Sequence, residues 1–366
     1  MKSRTVWTHA VSFLVAIPLT LLVMELAMRG ARLVQVTYAT VRTGDASLHV
    51  PLYQPDPLLG WAPRPLLHKP QVVKQSLQGR RYLASYETDR WGIRRILGND
   101  TDLRPQPQRD VLVIGDSYTG DFYASNDDMW YALLQKRYPD RYRVFAYGAS
   151  GSGTGQQYLA FRTLQAVVQP HILLIQHCDN DVVNDHLPSS HYSIVRNQDL
   201  VRPYVINGQV RYRDDLWARL YRVFNEHSHF FRFIDGRLQV VQFRLHDGYS
   251  TDPQQTQALL PAAIDNWRQI YRTYVHAARD AGVSEVWSVS CGSRLAGDHP
   301  VIRAWRDTSQ ELGVTTFEDF GDAIYTGRQQ GLDIFVPDGA HLNDQGNARA
   351  GAAFVQGLER RGLIAP

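Results

Sequence analysis

The 366-residue chain has little cysteine and almost no charge imbalance. It contains two cysteines, which excludes a disulfide-rich scaffold, and they lack the spacing of a structural metal site. Thirty-nine Lys and Arg oppose 36 Asp and Glu, leaving a net charge of +3. So mild an excess, with no basic cluster, argues against a nucleic-acid partner. Long apolar content is not lacking. With 44% hydrophobic and 20% charged residues, the composition predicts a folded chain and excludes disorder. At roughly 100–200 residues per domain, the length holds two or three units, or one large domain with additions.

The strongest local signal is Val111-Leu112-Val113-Ile114-Gly115-Asp116-Ser117-Tyr118-Thr119. A short apolar run closed by a turn residue reads as a strand buried on both faces. Gly115 permits a sharp turn, and Ser117 falls just past the strand's carboxyl end, the edge where open α/β sheets bind ligands. A serine hydroxyl is a weak nucleophile without a base, and a serine here also reads as a helix cap. Far downstream lies Val336-Pro337-Asp338-Gly339-Ala340-His341-Leu342-Asn343. Asp338 and His341, three residues apart in a Pro/Gly turn, form a base and an orienting carboxylate suited to Ser117.

These residues resemble the GDSL/SGNH hydrolase superfamily, whose four motif blocks occur in order over residues 109–366. Gly115-Asp116-Ser117 matches the first block. In Val144-Phe145-Ala146-Tyr147-Gly148-Ala149-Ser150-Gly151, Gly151 matches the glycine of the second, with Gly148 a nearby candidate. Cys178-Asp179-Asn180-Asp181 matches Gly-x-Asn-Asp at Asn180 and Asp181, with Cys178 in place of the glycine. Asp338 and His341 match the last block. The resemblance implies an α/β fold, a three-layer flavodoxin-like sandwich around a parallel sheet. It implies Ser117, His341 and Asp338 as catalytic residues and an oxyanion hole of Ser117 N–H, Gly151 N–H and the Asn180 amide. Asp116, Gly148 and Asp181 neighbour that site.

Residues 6–28 form an apolar stretch preceded by Lys2 and Arg4. A 23-residue helix spans roughly 35 Å, enough for a ~30 Å hydrocarbon core. Residues 1–28 are therefore expected to be an uncleaved signal anchor, with the remainder on the periplasmic or extracellular side. A cleaved signal peptide is the rival reading. Residues 29–108 are proline-rich, with short strands expected at Val72-Val73 and Tyr82–Tyr86. Asp56–Trp61 and Trp91–Arg94 resemble segments of bacterial envelope proteins similar to this family. This region reads as a small β-containing lead-in, or else as a spacer. Residues 109–366 alternate strand and helix, which predicts a parallel sheet with helices on both faces.

An insertion at about 182–255 interrupts that alternation. It holds a β-hairpin around Asn207-Gly208 and a helix with Leu216, Leu220 and Val223. It reads as a substrate cap, a membrane-facing patch or packing. Cys178 and Cys291 both follow expected strands and would reach disulfide distance if those strands are neighbours.

The expected activity is serine-dependent cleavage of an ester through an acyl-enzyme, with no metal or organic cofactor. The substrate would be an O-acyl group on an envelope carbohydrate or a lipid. The alternatives are an O-acetyltransferase acting on polysaccharide, a catalytically silent carbohydrate-binding protein, and a nucleotide-binding protein. Gly151-Ser152-Gly153-Thr154-Gly155 has neither the lysine nor the spacing of a nucleotide loop. Oligomeric state is open.

Overall fold

The computed structural model describes residues 16–29, 52–101, 108–120, 122–190, 198–245, 253–291 and 299–364. Residues 16–29 form helix α1. Two small antiparallel hairpins follow: β1 (Tyr53–Asp56) with β2 (Gly60–Pro63), and β3 (His68–Gln75) with β4 (Arg81–Glu87). Alternation then begins with β5 (Arg109–Gly115), α2 (Ser117–Gly120), α3 (Ala132–Arg137), β6 (Tyr142–Gly148), α4 (Thr154–Val168), β7 (Ile172–His177) and α5 (Asp179–Asp185). Short helices α6 (Leu187–Ser190) and α7 (Gln198–Val201) lead to the hairpin β8 (Pro203–Ile206) and β9 (Gln209–Tyr212), then to α8 (Leu216–His227) and α9 (His229–Leu245). The chain closes with α10 (Pro253–Asp280), β10 (Glu285–Ser290), α11 (Pro300–Glu311), β11 (Thr315–Phe317), α12 (Glu318–Gln329) and α13 (Asp344–Arg360).

The described residues fall into two compact units, one holding α1, α8 and α9 and the other the remaining elements. In the larger unit five parallel strands run in the order β6-β5-β7-β10-β11. Counted along the chain this is 2-1-3-4-5, the flavodoxin-like doubly wound order, whose switch point lies between its first and third strands. The alternation along β5 explains the three layers. Val111 and Val113 face a core shared with α3, α12 and α13, while Leu112 and Ile114 face one shared with α4, α10 and α11. Successive strand residues point to opposite faces, so a continuous apolar run serves both layers.

Several local expectations meet their structural counterparts here. Asn207 and Gly208 both have positive φ, 53° and 73°, as a two-residue hairpin of the twisted kind requires. The hairpin β1–β2 was not expected, because Pro55 and Pro63 obscured it; a two-stranded ribbon tolerates proline where no ladder N–H is needed. Helix α12 also lay outside the sequence pattern.

No helix among the described residues is long and apolar enough to cross a membrane. Fourteen residues at 16–29 are helical, a length of roughly 21 Å against a ~30 Å core. Residues 1–15, the rest of the expected anchor, lie outside the described residues.

β7 and β10 are neighbours in register, with His177 opposite Ser290. The next residue on each strand is a cysteine, and Cys178 and Cys291 are bonded, with Cα atoms 5.1 Å apart. Protein denatured without reductant should therefore show no alkylatable thiol. Closing a loop of 113 residues constrains the unfolded chain, so reduction should lower stability by about 2–5 kcal/mol, read as a drop in Tm. Two thiols in the unreduced protein would contradict the bond.

Candidate active site

Ser117 opens α2 directly after β5. Gly115 must be glycine because any Cβ there would collide with the Gln176 amide and the Thr119 side chain. Gln176, on β7, binds the turn from below: its Oε1 accepts from Asp116 N at 3.1 Å and Thr119 Oγ1 at 3.0 Å. A single helical turn cannot satisfy its own carbonyls. Trp130 Nε1 donates to Tyr118 O at 3.1 Å, and Tyr131 Oη and Arg94 Nη1 donate to Thr119 O at 2.9 and 3.3 Å.

The second half of the site is the loop before α13. Asp338 Oδ1 accepts from the backbone N–H of Ala340 at 2.7 Å and of His341 at 3.0 Å. Gly339 adopts φ +66°, a left-handed turn that glycine makes without strain. Asn343 caps α13 by accepting from Gly346 N at 2.9 Å. Tyr118 Oη donates to Ala340 O at 2.6 Å, stapling this loop to the serine turn.

Within this frame Asp338 Oδ2 lies 2.6 Å from His341 Nδ1, and His341 Nε2 lies 2.8 Å from Ser117 Oγ. An ionised carboxylate only accepts, so Nδ1 carries the proton and Nε2 is left to accept from the serine hydroxyl. Burial alone would raise the Asp338 carboxyl. The hydrogen bond and charge of His341, with the two loop N–H groups, outweigh it and hold the group below its ordinary value. The Tyr123 ring stacks on the imidazole with centroids 4.9 Å apart. A shallow, open cleft beside Ser117 is lined by Tyr118, Tyr123, Met129, His341, Leu342 and Asn347.

The remaining motif residues sit around the same sheet edge with distinct tasks. Gly151 has φ +70° in the loop after β6, and its carbonyl accepts from Asn184 Nδ2 at 3.1 Å. Asn180, in the first turn of α5, is partly exposed. Gly148 is required by packing: a Cβ would strike the backbone of Asp116 and Gly120. Asp181 is wholly buried and accepts from Cys178 N, Gln157 Nε2 and Thr154 Oγ1 at 3.1, 3.1 and 3.3 Å. It builds the loop and does not line the cleft.

Sequence reasoning overlooked Gln176, Arg94, Tyr118 and Tyr123 as site residues. Gln176 carries a signal as a polar residue ending the apolar run Ile172–Ile175, and Arg94 one as the last residue of Trp91–Arg94.

Fold and side chains together define a doubly wound α/β protein with a Ser–His–Asp triad at the carboxyl edge of its sheet. In motif order and geometry the chain is similar to the GDSL/SGNH hydrolases. No protein-family model matches it, and neither does any curated protein sequence. Solved structures similar to it include a psychrotrophic esterase from Pseudoalteromonas sp., at 10% identity over 70% of this chain and 100% of that one, TM-score 0.39. A catalytic mutant of an acetylxylan esterase from Geobacillus stearothermophilus matches at 14% identity over 70% and 96%, TM-score 0.39. A carbohydrate acetylesterase family member from Sinorhizobium meliloti matches at 15% over 70% and 97%, TM-score 0.32.

Burial also sets a pH dependence. It pushes Asp116 up to about 7, with the Asp181 charge adding to the rise, and it raises Asp181 and Asp185 to about 8. The folded state thus holds protons that the unfolded chain has released, and stability falls as pH rises through these values. His177 opposes this, since burial lowers it to about 4; its contribution grows with pH but is complete by its ordinary value of 6.5. Between roughly pH 6.5 and 8.5 only the carboxyl effect remains of the two. Tm measured by calorimetry should fall across that window, and Asp181→Asn should flatten the slope. A Tm rising with pH there would contradict the assignment.

Proposed function

We propose that this protein is a serine esterase of the GDSL/SGNH type that removes a short O-acyl group through an acyl-enzyme. The observation that carries the reading is the continuous relay from Asp338 through His341 to Ser117 Oγ, at 2.6 and 2.8 Å. His341 takes the hydroxyl proton as Oγ attacks the ester carbonyl, and Asp338 stabilises the imidazolium that results. The tetrahedral oxyanion is met by the N–H groups of Ser117 and Gly151 and by the Asn180 amide. His341 then protonates the departing alcohol, and water attacks the acyl-enzyme in the same sense. The cleft beside Ser117 encloses little space, which supports a short acyl group over a long chain. An O-acyl group on an envelope carbohydrate is the substrate class we favour.

The membrane tether belongs to the same proposal. Its supports are the exposed apolar side chains of α1 and the Cys178–Cys291 bond, which suits an oxidising compartment outside the cytosol. The catalytic unit would then work on the periplasmic or extracellular side.

The test is hydrolysis of aryl acetate and aryl octanoate by the detergent-purified chain, with phosphonate labelling and mass spectrometry. Ser117→Ala and His341→Ala should each lose up to about a millionfold in turnover, with the double variant little worse. Asn180→Ala should lose about 10²–10³. The acetate should be the better substrate. Label on a different residue, or full turnover by Ser117→Ala, would overturn the reading.

A further inference from the structure

Helix α8 turns the wrong face inward. Its start is fixed by Asp215 Oδ1, which accepts from Ala218 N at 3.1 Å. The buried arc is Ala218, Tyr221 and Asn225. Tyr221 Oη donates to Asp235 at 2.6 Å, and its ring meets Phe231 edge-on at 5.2 Å. A second arc carries Arg219, Arg222 and Glu226. The third carries Leu216, Trp217, Leu220, Val223 and Phe224, all exposed, with Leu216 at 73% and Trp217 at 58%. Positions i, i+1, i+4, i+7 and i+8 share one helix face. Single exposed apolar residues need no explanation, but a contiguous stripe marks an interaction surface.

What covers the stripe is indicated by α1, in the same unit. Ile17, Leu19, Leu21, Leu22, Val23 and Leu26 are exposed around its circumference. A helix apolar on all sides belongs inside a large core or in a bilayer. Its carboxyl end is tied by polar groups to the joint between α8 and α9. Glu25 accepts from the backbone N–H of His229 and Phe230 at 3.0 and 2.9 Å and from Ser228 Oγ at 2.9 Å. Arg29 donates to His227 O at 2.9 Å and to Glu25 at 2.7 Å. The apolar helix and the apolar stripe therefore converge on one polar hinge, the arrangement expected where chain leaves a hydrocarbon core.

We propose that α8 lies in the headgroup layer of a lipid bilayer, with Trp217, Leu220 and Val223 inserted and Arg219 beside the lipid phosphates. The proposal rests on the membrane tether proposed above. Tryptophan and aliphatic residues on one face with an arginine on the flank are the composition of an interfacial helix, and an arginine there favours anionic lipid. α8 then fixes how the unit sits on the bilayer, a task that a flexible tether alone cannot perform.

The test uses the full chain on phosphatidylethanolamine–phosphatidylglycerol vesicles. Because the native cysteines are bonded to each other, Trp217→Cys, Val223→Cys or Glu226→Cys supplies one thiol for an environment-sensitive fluorophore. Positions 217 and 223 should shift to the blue and be strongly quenched by lipids spin-labelled just below the headgroup. Position 226 should do neither. Unquenched probes at 217 and 223, on protein that still floats with the vesicles, would overturn the interfacial helix and leave the tether standing. A blue shift without lipid quenching would assign the stripe to a second copy and overturn it equally. Failure of the whole chain to float would remove tether and helix together.

Discussion

The hydrogen bond from Tyr118 Oη to Ala340 O joins segments 222 residues apart, and the site depends on it. The sheet fixes Ser117, but His341 arrives on the last loop of the chain. Proton transfer from Oγ requires the imidazole within about 3 Å, and a misplacement of about 1 Å is worth on the order of 10² in rate. Tyr118 belongs to the serine's own turn and Ala340 precedes the histidine, so one bond locks the two parts at their nearest neighbours. Arg328 reinforces it by donating to Gly339 O at 2.7 Å. The Asp338 side chain closes the loop on itself through two backbone N–H groups. One carboxylate thus shapes the loop with Oδ1 and orients the histidine with Oδ2.

Around that staple the rest of the larger unit acts as bracing. β5 and β7 flank the switch point of the sheet, which brings Ser117 and Asn180 to the two lips of one crevice. The disulfide anchors the start of α5 to the end of β10. The proline-rich segment braces the other loops. Trp61 Nε1 donates to Ser150 O at 3.0 Å, next to Gly151, and Gln156 Nε2 donates to Leu59 O at 2.7 Å. Arg94, buried, donates to Thr119 O and Ala124 O and stacks on Tyr86. Removing these contacts would leave the triad's residues present and their spacing unsupported.

The triad and the parallel sheet were legible because each leaves a local mark. β5 and β7 are unbroken apolar runs, and Asp338 and His341 are three residues apart in a turn. The bracing left none. Arg94 and Gln176 reach their partners across 25 and 60 residues, and their chemistry becomes visible only once the strands pair. β1 and β2 were hidden by prolines that a narrow hairpin tolerates. α8 was legible as a helix but not as an inverted one, because periodicity reports which residues share a face and not which face the fold covers.

Asp116 shows why a buried carboxylate persists beneath the catalytic serine. Its carboxylate accepts from Tyr118 N at 3.0 Å, inside the serine's own turn. A full negative charge there would oppose an oxyanion forming nearby. Burial eases that conflict by raising the Asp116 carboxyl to about 7, well above the ordinary carboxylate range. The acceptor can be kept because the environment that hides it also weakens its charge.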